Sequence, residues 1–319
     1  HKPGSKAMIP ELLFVGIDVS KARFDVFVYP AGKRWSTGSS PTQIGALANR
    51  LLGLGPVVVG LEASGGYERR LADSLHAAGL KVHILPPARV RNFAKAMGQL
   101  AKTDMIDAAV IARYLATVHA HLTPYEPDPV RSRLSAFAAH RRRLVAEKSG
   151  LTSQLDTIEE PLVRDMLEAR LRIIAMDIAT LDRAMRDLLK ATPGLRKRHD
   201  RMCKVTGVGP VLATALIADL PELGTVSSKV IAALVGVAPH ARQSGSSNRQ
   251  GKCSGGRKHL RDIAYMATLS AIKVKDPVLG AFYQRLRSKG KPFKLAIVAT
   301  IRKLVTILNA IARTDPAFA

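Results

Sequence analysis

The sequence is poor in cysteine and in long apolar runs, and both shortages restrict what the protein can be. Only 2 of its 319 residues are cysteines, Cys203 and Cys253. They form no Cys-x-x-Cys pair, which argues against a disulfide framework or a zinc ribbon and fits a reducing cytoplasm. No apolar run approaches the ~18 residues that cross a bilayer, and no signal-peptide pattern opens the chain. We therefore expect a cytoplasmic protein with no membrane partner.

Acidic residues are also scarce. The chain has 25 aspartates and glutamates against 49 lysines and arginines, a net charge of +24. Hydrophobic residues make up 47% of the chain, which is enough to build cores, so this is no disordered basic tail. Residues 201–319 alone hold 19 basic and 5 acidic side chains. Such an excess favours a nucleic-acid partner, and any metal ligands should come from the acid-richer first third.

Residues 11–122 alternate short apolar runs with helical periods, which predicts an α/β domain. The runs 12–18 and 23–30, with a short third run near 34–37, suit an antiparallel meander. The run 56–61 is continuous and β-branched, which is typical of a buried strand. Another strand is expected over 81–85, and helices are expected over 41–52, 67–78, 89–97 and 104–118.

Four carboxylates fall at the ends of these predicted elements. Asp18 ends the first strand and Glu62 follows the central one, while Asp104 and Asp107 share a face of the last helix. Each alone is equally well a turn or cap residue. Together they match the RNase H-like fold, in which such side chains meet at one sheet edge and hold two divalent cations for phosphoryl transfer. Oxygen-only ligands suit Mg²⁺, and Mn²⁺ equally well. Asp25 follows the pattern less well and is expected at the surface.

Residues 127–195 predict a coiled-coil helical segment with a break near Pro161. Apolar residues repeat every seven positions in two series four places apart: Leu167, Ile174, Leu181 and Leu188, then Leu171, Ile178 and Met185. The seam either closes within the chain, as a helical hairpin against Leu144, Leu151, Leu155 and Ile158, or pairs two chains. The run Arg141-Arg142-Arg143 is expected as a solvated face, with a phosphate or RNA contact as the alternative.

Residues 196–319 predict a mainly helical domain that begins near a helix-hairpin-helix. In the segment 203–217, Gly207 and Gly209 allow a tight turn, and backbone N–H groups at the next helix start can face a phosphate. Such a contact carries no sequence information. A plain helix corner inside a core is the alternative.

Residues 242–258 hold four serines, four glycines and five basic residues. The segment is no P-loop, because no strand is expected before its Gly-Lys pair. It is either a disordered loop that touches DNA or a loop that carries a serine nucleophile. In the second case Arg242, Arg257 and Lys258 would neutralise the phosphate. A serine hydroxyl needs activation, which would have to come from the carboxylates of the first third.

The chain resembles the IS110 family of insertion-sequence transposases, the DEDD transposases or bridge-RNA-guided recombinases, to which Piv-type DNA invertases are related. The resemblance covers nearly the whole chain. It rests on GIDVSK at 16–21, GLEASGGY at 60–67, KTDMID at 102–107, VTGVGPVLA at 205–213, VGVAPHARQSG at 235–245 and HLRDIAYMA at 259–267.

The resemblance implies a RuvC-like domain of RNase H fold at 11–122 and a transposase domain at 196–319, on either side of the predicted coiled coil at 127–195. The acidic set of the family falls on Asp18, Glu62, Asp104 and Asp107. The catalytic serine maps best to Ser244, although the extra serines that follow leave three alternatives: Ser246, Ser247 and Ser254.

The resemblance further implies a 5′-phosphoserine intermediate and a structured guide RNA that pairs with donor and target DNA. It also implies a dimer or tetramer in which the catalytic parts meet across chains. The expected function is therefore that of a metal-assisted, serine-using transposase or site-specific recombinase. Two alternatives stay open: a RuvC-like nuclease that hydrolyses structured DNA with the carboxylates and water alone, and a non-catalytic RNA- and DNA-binding protein.

Overall fold

The computed structural model describes residues 12–98, 104–244 and 247–313. The chain divides into two compact units, which meet in sequence between Pro127 and Asp128. The first is built on a sheet and the second is mostly helical, so the predicted order of an α/β domain and a mainly helical remainder is confirmed. The finer three-part division of the chain stays a prediction.

The first unit contains five strands: β1 (Leu13–Val19), β2 (Arg23–Tyr29), β3 (Lys33–Gly38), β4 (Val57–Glu62) and β5 (Lys81–Leu85). Their order in the sheet is β3-β2-β1-β4-β5. The first three form the predicted antiparallel meander, whereas β4 pairs in parallel with both β1 and β5. This mixed sheet is compatible with the predicted RNase H-like fold.

Helices cover both faces of this sheet: α1 (Pro41–Leu52), α2 (Tyr67–Ala77), α3 (Pro87–Ala96) and α4 (Asp104–Val118), with one 3₁₀ turn over His119–His121. α1 and α2 share a core with Val57 and Val59, and α3 and α4 share a second core with Val58. Successive side chains of a strand point to opposite faces. The run of valines in β4 is therefore continuous because both of its faces are buried.

The second unit contains eight helices and a hairpin among its described residues: α5 (Pro129–Leu155), α6 (Pro161–Lys190), α7 (Pro193–Cys203), α8 (Pro210–Asp219), α9 (Ser228–Val235), β6 (Pro239–Ser244), β7 (Ser247–Cys253), α10 (Lys258–Lys273), α11 (Leu279–Ser288) and α12 (Phe293–Arg313). The sequence pattern predicts neither α7 nor α11. α7 buries Arg198 and Met202, so it lacks the apolar stripe by which a surface helix is recognised.

α5 and α6 form an antiparallel helical hairpin. Arg141 Nε lies 2.7 Å from Asp182. Further along α5, Glu147 lies 2.8 Å from Arg170, so positions on the two helices run in opposite directions. All seven predicted heptad positions of α6 are buried or half-buried. The seam therefore closes within the chain. Whether it forms a coiled coil, or pairs two chains, stays a prediction.

α12 corrects the expectation about apolar runs. By length and composition alone it could cross a membrane, with a mean hydropathy of 1.8 over its most apolar window. Half of that window is buried within the protein, and Ile297, Ile301 and Leu304 are each at most 1% exposed. These side chains belong to the core of the second unit. The apolar character of α12 is thus accounted for by burial against other helices.

Candidate active site

β1 and β4 place two of the four predicted carboxylates side by side. The strands are parallel, with Ile17 opposite Leu61, so Asp18 and Glu62 occupy the next position in each strand. Neighbouring strands lie about 4.8 Å apart, and matched positions lie on one face of the sheet. Both side chains are half-buried. The strand register therefore brings Asp18 and Glu62 together at the carboxyl edge of the sheet.

α4 crosses that same face and brings Asp107 toward the same edge. A Cβ at Gly16 would lie 2.2 Å from the carbonyl oxygen of Ala108, so only a glycine lets the helix lie this close. At the other end of β1, the rings of Phe14 and His119 lie 4.7 Å apart. α4 thus runs opposite to β1, and its first turn lies near the carboxyl end of that strand.

The first turn of α4 begins at Asp104 and includes Asp107. Asp107 is half-buried, whereas the described side chains do not include that of Asp104. Among the described residues, no three acidic, histidine or cysteine side chains already lie close enough to hold an ion. The edge fits a divalent metal by its oxygen-only donors and by the convergence of three elements. Asp104 would complete the predicted set.

Asp25 contradicts the expectation of a surface residue. Its side chain is 5% exposed and lies 2.6 Å from Arg23 Nη2. It also accepts a hydrogen bond from the hydroxyl of Ser36. Asp25 stands opposite Asp18 in the β1–β2 register, hence on the same face of the sheet. A fifth carboxylate therefore borders the predicted set, already neutralised by its own arginine.

The serine- and glycine-rich segment is an antiparallel hairpin and not the expected loop. β6 and β7 pair along their length, and Ser244 opposite Ser247 ends the ladder at the tip. Ser246 lies outside the described residues. Ser254 follows β7 at the base, seven residues after Ser247 at the tip, which is about 23 Å at a strand's rise per residue. The hairpin thus separates Ser254 from the other predicted nucleophiles.

Three glycines and one arginine hold the base of this hairpin, and sequence reasoning missed them. A Cβ at Gly256 would lie 2.3 Å from the backbone nitrogen of Gly236. Arg261 Nη1 donates to carbonyls on both sides of the junction, at 2.9 Å to Gly255 and at 3.2 Å to Gly236. The glycines can be read in the sequence, but the sequence does not indicate that two segments about 20 residues apart approach each other closely at these positions.

The three basic residues predicted to bind phosphate differ in their surroundings. Arg257 Nη2 lies 2.8 Å from Glu222, and both side chains are half-buried. Lys258 lies 2.7 Å from Asp262 but is 77% exposed. Arg242 lies in β6, and its side chain is not among those described. The charge of Arg257 is therefore largely neutralised by Glu222, whereas Lys258 is exposed to solvent.

The turn between α7 and α8 contains both glycines of the predicted hairpin. Gly207 has a φ of +85°, and a Cβ there would lie 2.2 Å from the carbonyl oxygen of Ala267. Packing against α10 thus explains this glycine without a ligand. Gly209 is the N-cap residue of α8, which has no side-chain cap, and a Cβ at Gly209 would meet nothing within 4 Å. The predicted phosphate contact is therefore sterically open at Gly209 and not at Gly207.

Asp219 joins three segments of the second unit, and sequence reasoning passed over it. Its side chain is 9% exposed and lies 3.0 Å from Arg142 and 2.9 Å from His259. Ser135 Oγ donates to it at 2.7 Å. Burial alone would raise the pKa of Asp219, but the hydrogen bonds from His259 and Ser135 and the charge of Arg142 hold it below its usual value. Arg142 is therefore no solvated residue, and neither is Arg141.

A carboxylate-bearing sheet edge followed by a basic unit with a serine-bearing hairpin matches what is expected of a transposase of the DEDD type. Family comparison agrees. A DEDD transposase model matches residues 15–158, and a second, described as "Transposase IS116/IS110/IS902 family", matches residues 199–284. Together they cover more than half of the chain. The chain belongs to the IS110-type transposases, and it is a DNA transposase or recombinase.

Individual relatives support the same family. The chain is 28% identical to the pilin gene-inverting protein of Moraxella bovis over 321 residues, 96% of this chain and 97% of the relative. It is 29% identical to that of Moraxella lacunata over 267 residues, 81% and 80% of the two chains. A 43.6 kDa protein of insertion element IS110 from Streptomyces coelicolor is 23% identical over 381 residues, 94% of each. The non-catalytic alternative is therefore wrong.

Proposed function

We propose that this transposase cuts and rejoins DNA through a serine ester, with Ser244 as the nucleophile. Ser244 Oγ attacks the phosphorus, the bond from phosphorus to the 3′ oxygen breaks, and the strand leaves with a 3′ hydroxyl that takes up the serine proton. The 5′ phosphate is then esterified to the serine. Attack by the 3′ hydroxyl of another strand breaks this ester and restores the hydroxyl of Ser244. One ester bond forms for each that breaks, so no outside energy source is needed.

The carboxylates at the sheet edge form the metal site in this proposal. Asp18, Glu62, Asp104 and Asp107 would hold Mg²⁺ or Mn²⁺, and bound ions of this kind supply charge stabilisation at the attacking and leaving oxygens. The support is the register that sets Asp18 beside Glu62, together with the path of α4. Residues 201–319 hold only five acidic residues, so in this proposal the serine depends on carboxylates from the first unit.

The second unit holds the DNA phosphates. The turn between α7 and α8 acts as a helix-hairpin-helix, in which the backbone at Gly209 and the uncapped start of α8 meet a phosphate. Arg242 and Lys258 neutralise the phosphate under attack. Arg257 belongs to the same set, but its ion pair with Glu222 at 2.8 Å makes it the weakest member.

One observation separates the candidate serines, and the family resemblance then favours Ser244 among those at the tip. Ser244 and Ser247 lie at the hairpin tip, whereas Ser254 lies at its base. We expect Ser244→Ala to abolish protein–DNA adducts that survive denaturing electrophoresis while DNA binding persists. Ser254→Ala is the matched control and should keep the adducts. Adducts that survive in Ser244→Ala would exclude this nucleophile and direct attention to Ser246 and Ser247. Cleavage without adducts in every serine variant would instead support the hydrolytic nuclease.

The partners in this proposal are donor and target DNA, a structured guide RNA, and further copies of the chain in a dimer or tetramer. A net charge of +24 suits a protein that neutralises two polyanions at once. Sequencing the nucleic acid that co-purifies with the protein tests the RNA directly. One defined, structured RNA is expected. Cellular RNA without a common sequence would contradict the guide while leaving the serine chemistry untouched.

A further inference from the structure

The segment 190–204, which runs from the last residue of α6 through α7, is rich in positive charge. It holds six lysines and arginines and one aspartate. Arg198 and Met202 lie one turn apart and are at most 3% exposed, so they mark the buried face of α7. Lys197 and Lys204, two turns apart, are both exposed. The solvent side of α7 is therefore a basic face.

This face lines an open groove of about 590 Å³. Five basic side chains line it: Lys190, Arg196, Lys197, Arg201 and Lys204. Asp200 is the one acid in the lining, and it lies 3.7 Å from Arg196, with both side chains more than half exposed. An ion pair this exposed contributes little. Basic side chains therefore outnumber acidic ones five to one in the lining of the groove.

The lining indicates what kind of anion fits. No aromatic side chain stands among the described residues of the groove, and its remaining lining residue is Pro193, so no aromatic ring there can stack on a base. From Lys197 to Lys204 the helix rises about 10 Å. Duplex nucleic acid carries about six phosphate charges over that length. A regularly charged polymer satisfies several cations at once, whereas one small anion would leave most of them unneutralised.

We propose that this groove binds the phosphodiester backbone of a nucleic-acid duplex, without reading its sequence. α7 leads directly into the turn that contains Gly209. One helical hairpin thereby offers cations along its first helix and backbone amides at its turn, which are two kinds of phosphate contact that fix position but not sequence. The proposal rests on the proposed function only in taking nucleic acid as the partner.

The test is the salt dependence of binding by the full-length protein freed of its own nucleic acid. The double variant Lys197→Gln/Lys204→Gln is compared with Lys289→Gln/Lys291→Gln, two exposed lysines that follow α11. Fluorescence anisotropy gives the affinity for a DNA duplex and for an RNA duplex. Each phosphate contact adds about 0.9 to the slope of log K against log salt. We expect the groove variant to lose about 1.8 from that slope, so that raising salt from about 50 to 200 mM weakens it roughly tenfold less than the parent. The control should keep the parent slope.

The outcomes separate the sources of the phosphate and the two proposals. A reduced slope with DNA alone assigns the groove to DNA, and a reduced slope with RNA alone assigns it to RNA. If the parent slope is steep and the groove variant keeps it with both ligands, the proposal for the groove is wrong and the proposed function is unaffected. A parent protein that binds neither duplex in a salt-dependent way contradicts both. Thermal unfolding of each variant serves as the control for correct folding.

Discussion

The two units of this transposase bring their charged side chains together in different ways. In the first, Asp18 and Glu62 come together through strand register alone, only one position from residues already paired in the sheet. In the second, buried charge is neutralised by partners far away in sequence, such as Arg142 and Asp219, which are 77 residues apart. Strand pairing sets the positions of the acidic residues, whereas helix packing supplies the charge partners of the second unit. The acidic edge can therefore be predicted from strand patterns, and the charge pairs between helices cannot.

The largest expected effect is at the acidic edge. Glu62→Gln removes a predicted metal ligand without changing its size, so DNA cleavage should fall by more than about 100-fold. Nucleic-acid affinity and the thermal midpoint should stay near the parent values, because the residue is half-buried at a strand end. Glu126→Gln, an exposed change in the same unit, is the control for both assays. Full cleavage in Glu62→Gln would remove the sheet edge from the mechanism.

The second largest effect is expected from a substitution that displaces α4. Gly16→Ala would set a Cβ 2.2 Å from the carbonyl oxygen of Ala108, and relieving that clash means moving α4 off the sheet. We expect a loss of about 3 kcal/mol in the free energy of unfolding of the first unit, together with loss of cleavage. Gly45→Ala in α1 meets nothing within 4 Å and should stabilise the helix by up to ~1 kcal/mol. Urea unfolding of the two variants should therefore shift in opposite directions.

The third largest effect is expected at Asp219, the buried acid of the second unit. Asp219→Asn leaves Arg142 and His259 without their carboxylate, and we expect it to cost about 2 kcal/mol at neutral pH. The pKa of Asp219 is held below its usual value, so its contribution is present above about pH 4 and is lost as the pH falls through the folded-state pKa. Urea midpoints of the parent and Asp219→Asn should differ at pH 7 and converge in acid. A constant difference at all pH values would contradict the assignment.

The smallest effect concerns the exposed end of the basic site. Lys258 is 77% exposed and its one ion pair is at the surface, so Lys258→Gln should change stability by less than about 0.5 kcal/mol. If it binds a DNA phosphate, the slope of log K against log salt should fall by about 0.9. The same measurement on Lys289→Gln gives the baseline. Equal slopes in the two variants would place Lys258 outside the DNA contact.

The sequence predicts most of the first unit because its strands are short and patterned. The run 56–61 indicated a doubly buried strand, and the structure places β4 at Val57–Glu62 at the centre of the parallel part. The strand pattern also predicts that Asp18 and Glu62 lie near strand ends, as they do, and their role as metal ligands stays a prediction. It does not predict the burial of Asp25, because alternation along β2 cannot reveal that Arg23 pairs with this carboxylate and that Ser36 donates a hydrogen bond to it.

The second unit was less predictable because its features depend on contacts between distant segments. The hairpin of β6 and β7 is polar along its length, so it has no alternation to indicate a strand. Its base depends on Arg261 and on the contact between Gly236 and Gly256, which only the folded chain brings together. α7 was missed for the related reason that charge fills both its solvent face and part of its buried face.

The central claim is that one reaction uses a serine from the second unit and carboxylates from the first. The most direct test maps the covalent DNA adduct by mass spectrometry of protease digests, in the parent protein and in Glu62→Gln. We predict a 5′-phosphonucleotide on Ser244 in the parent and no adduct in Glu62→Gln, although that variant still binds DNA. An adduct that forms equally well without the Glu62 carboxylate, or DNA cleavage by the parent with no adduct on any serine, would contradict the account.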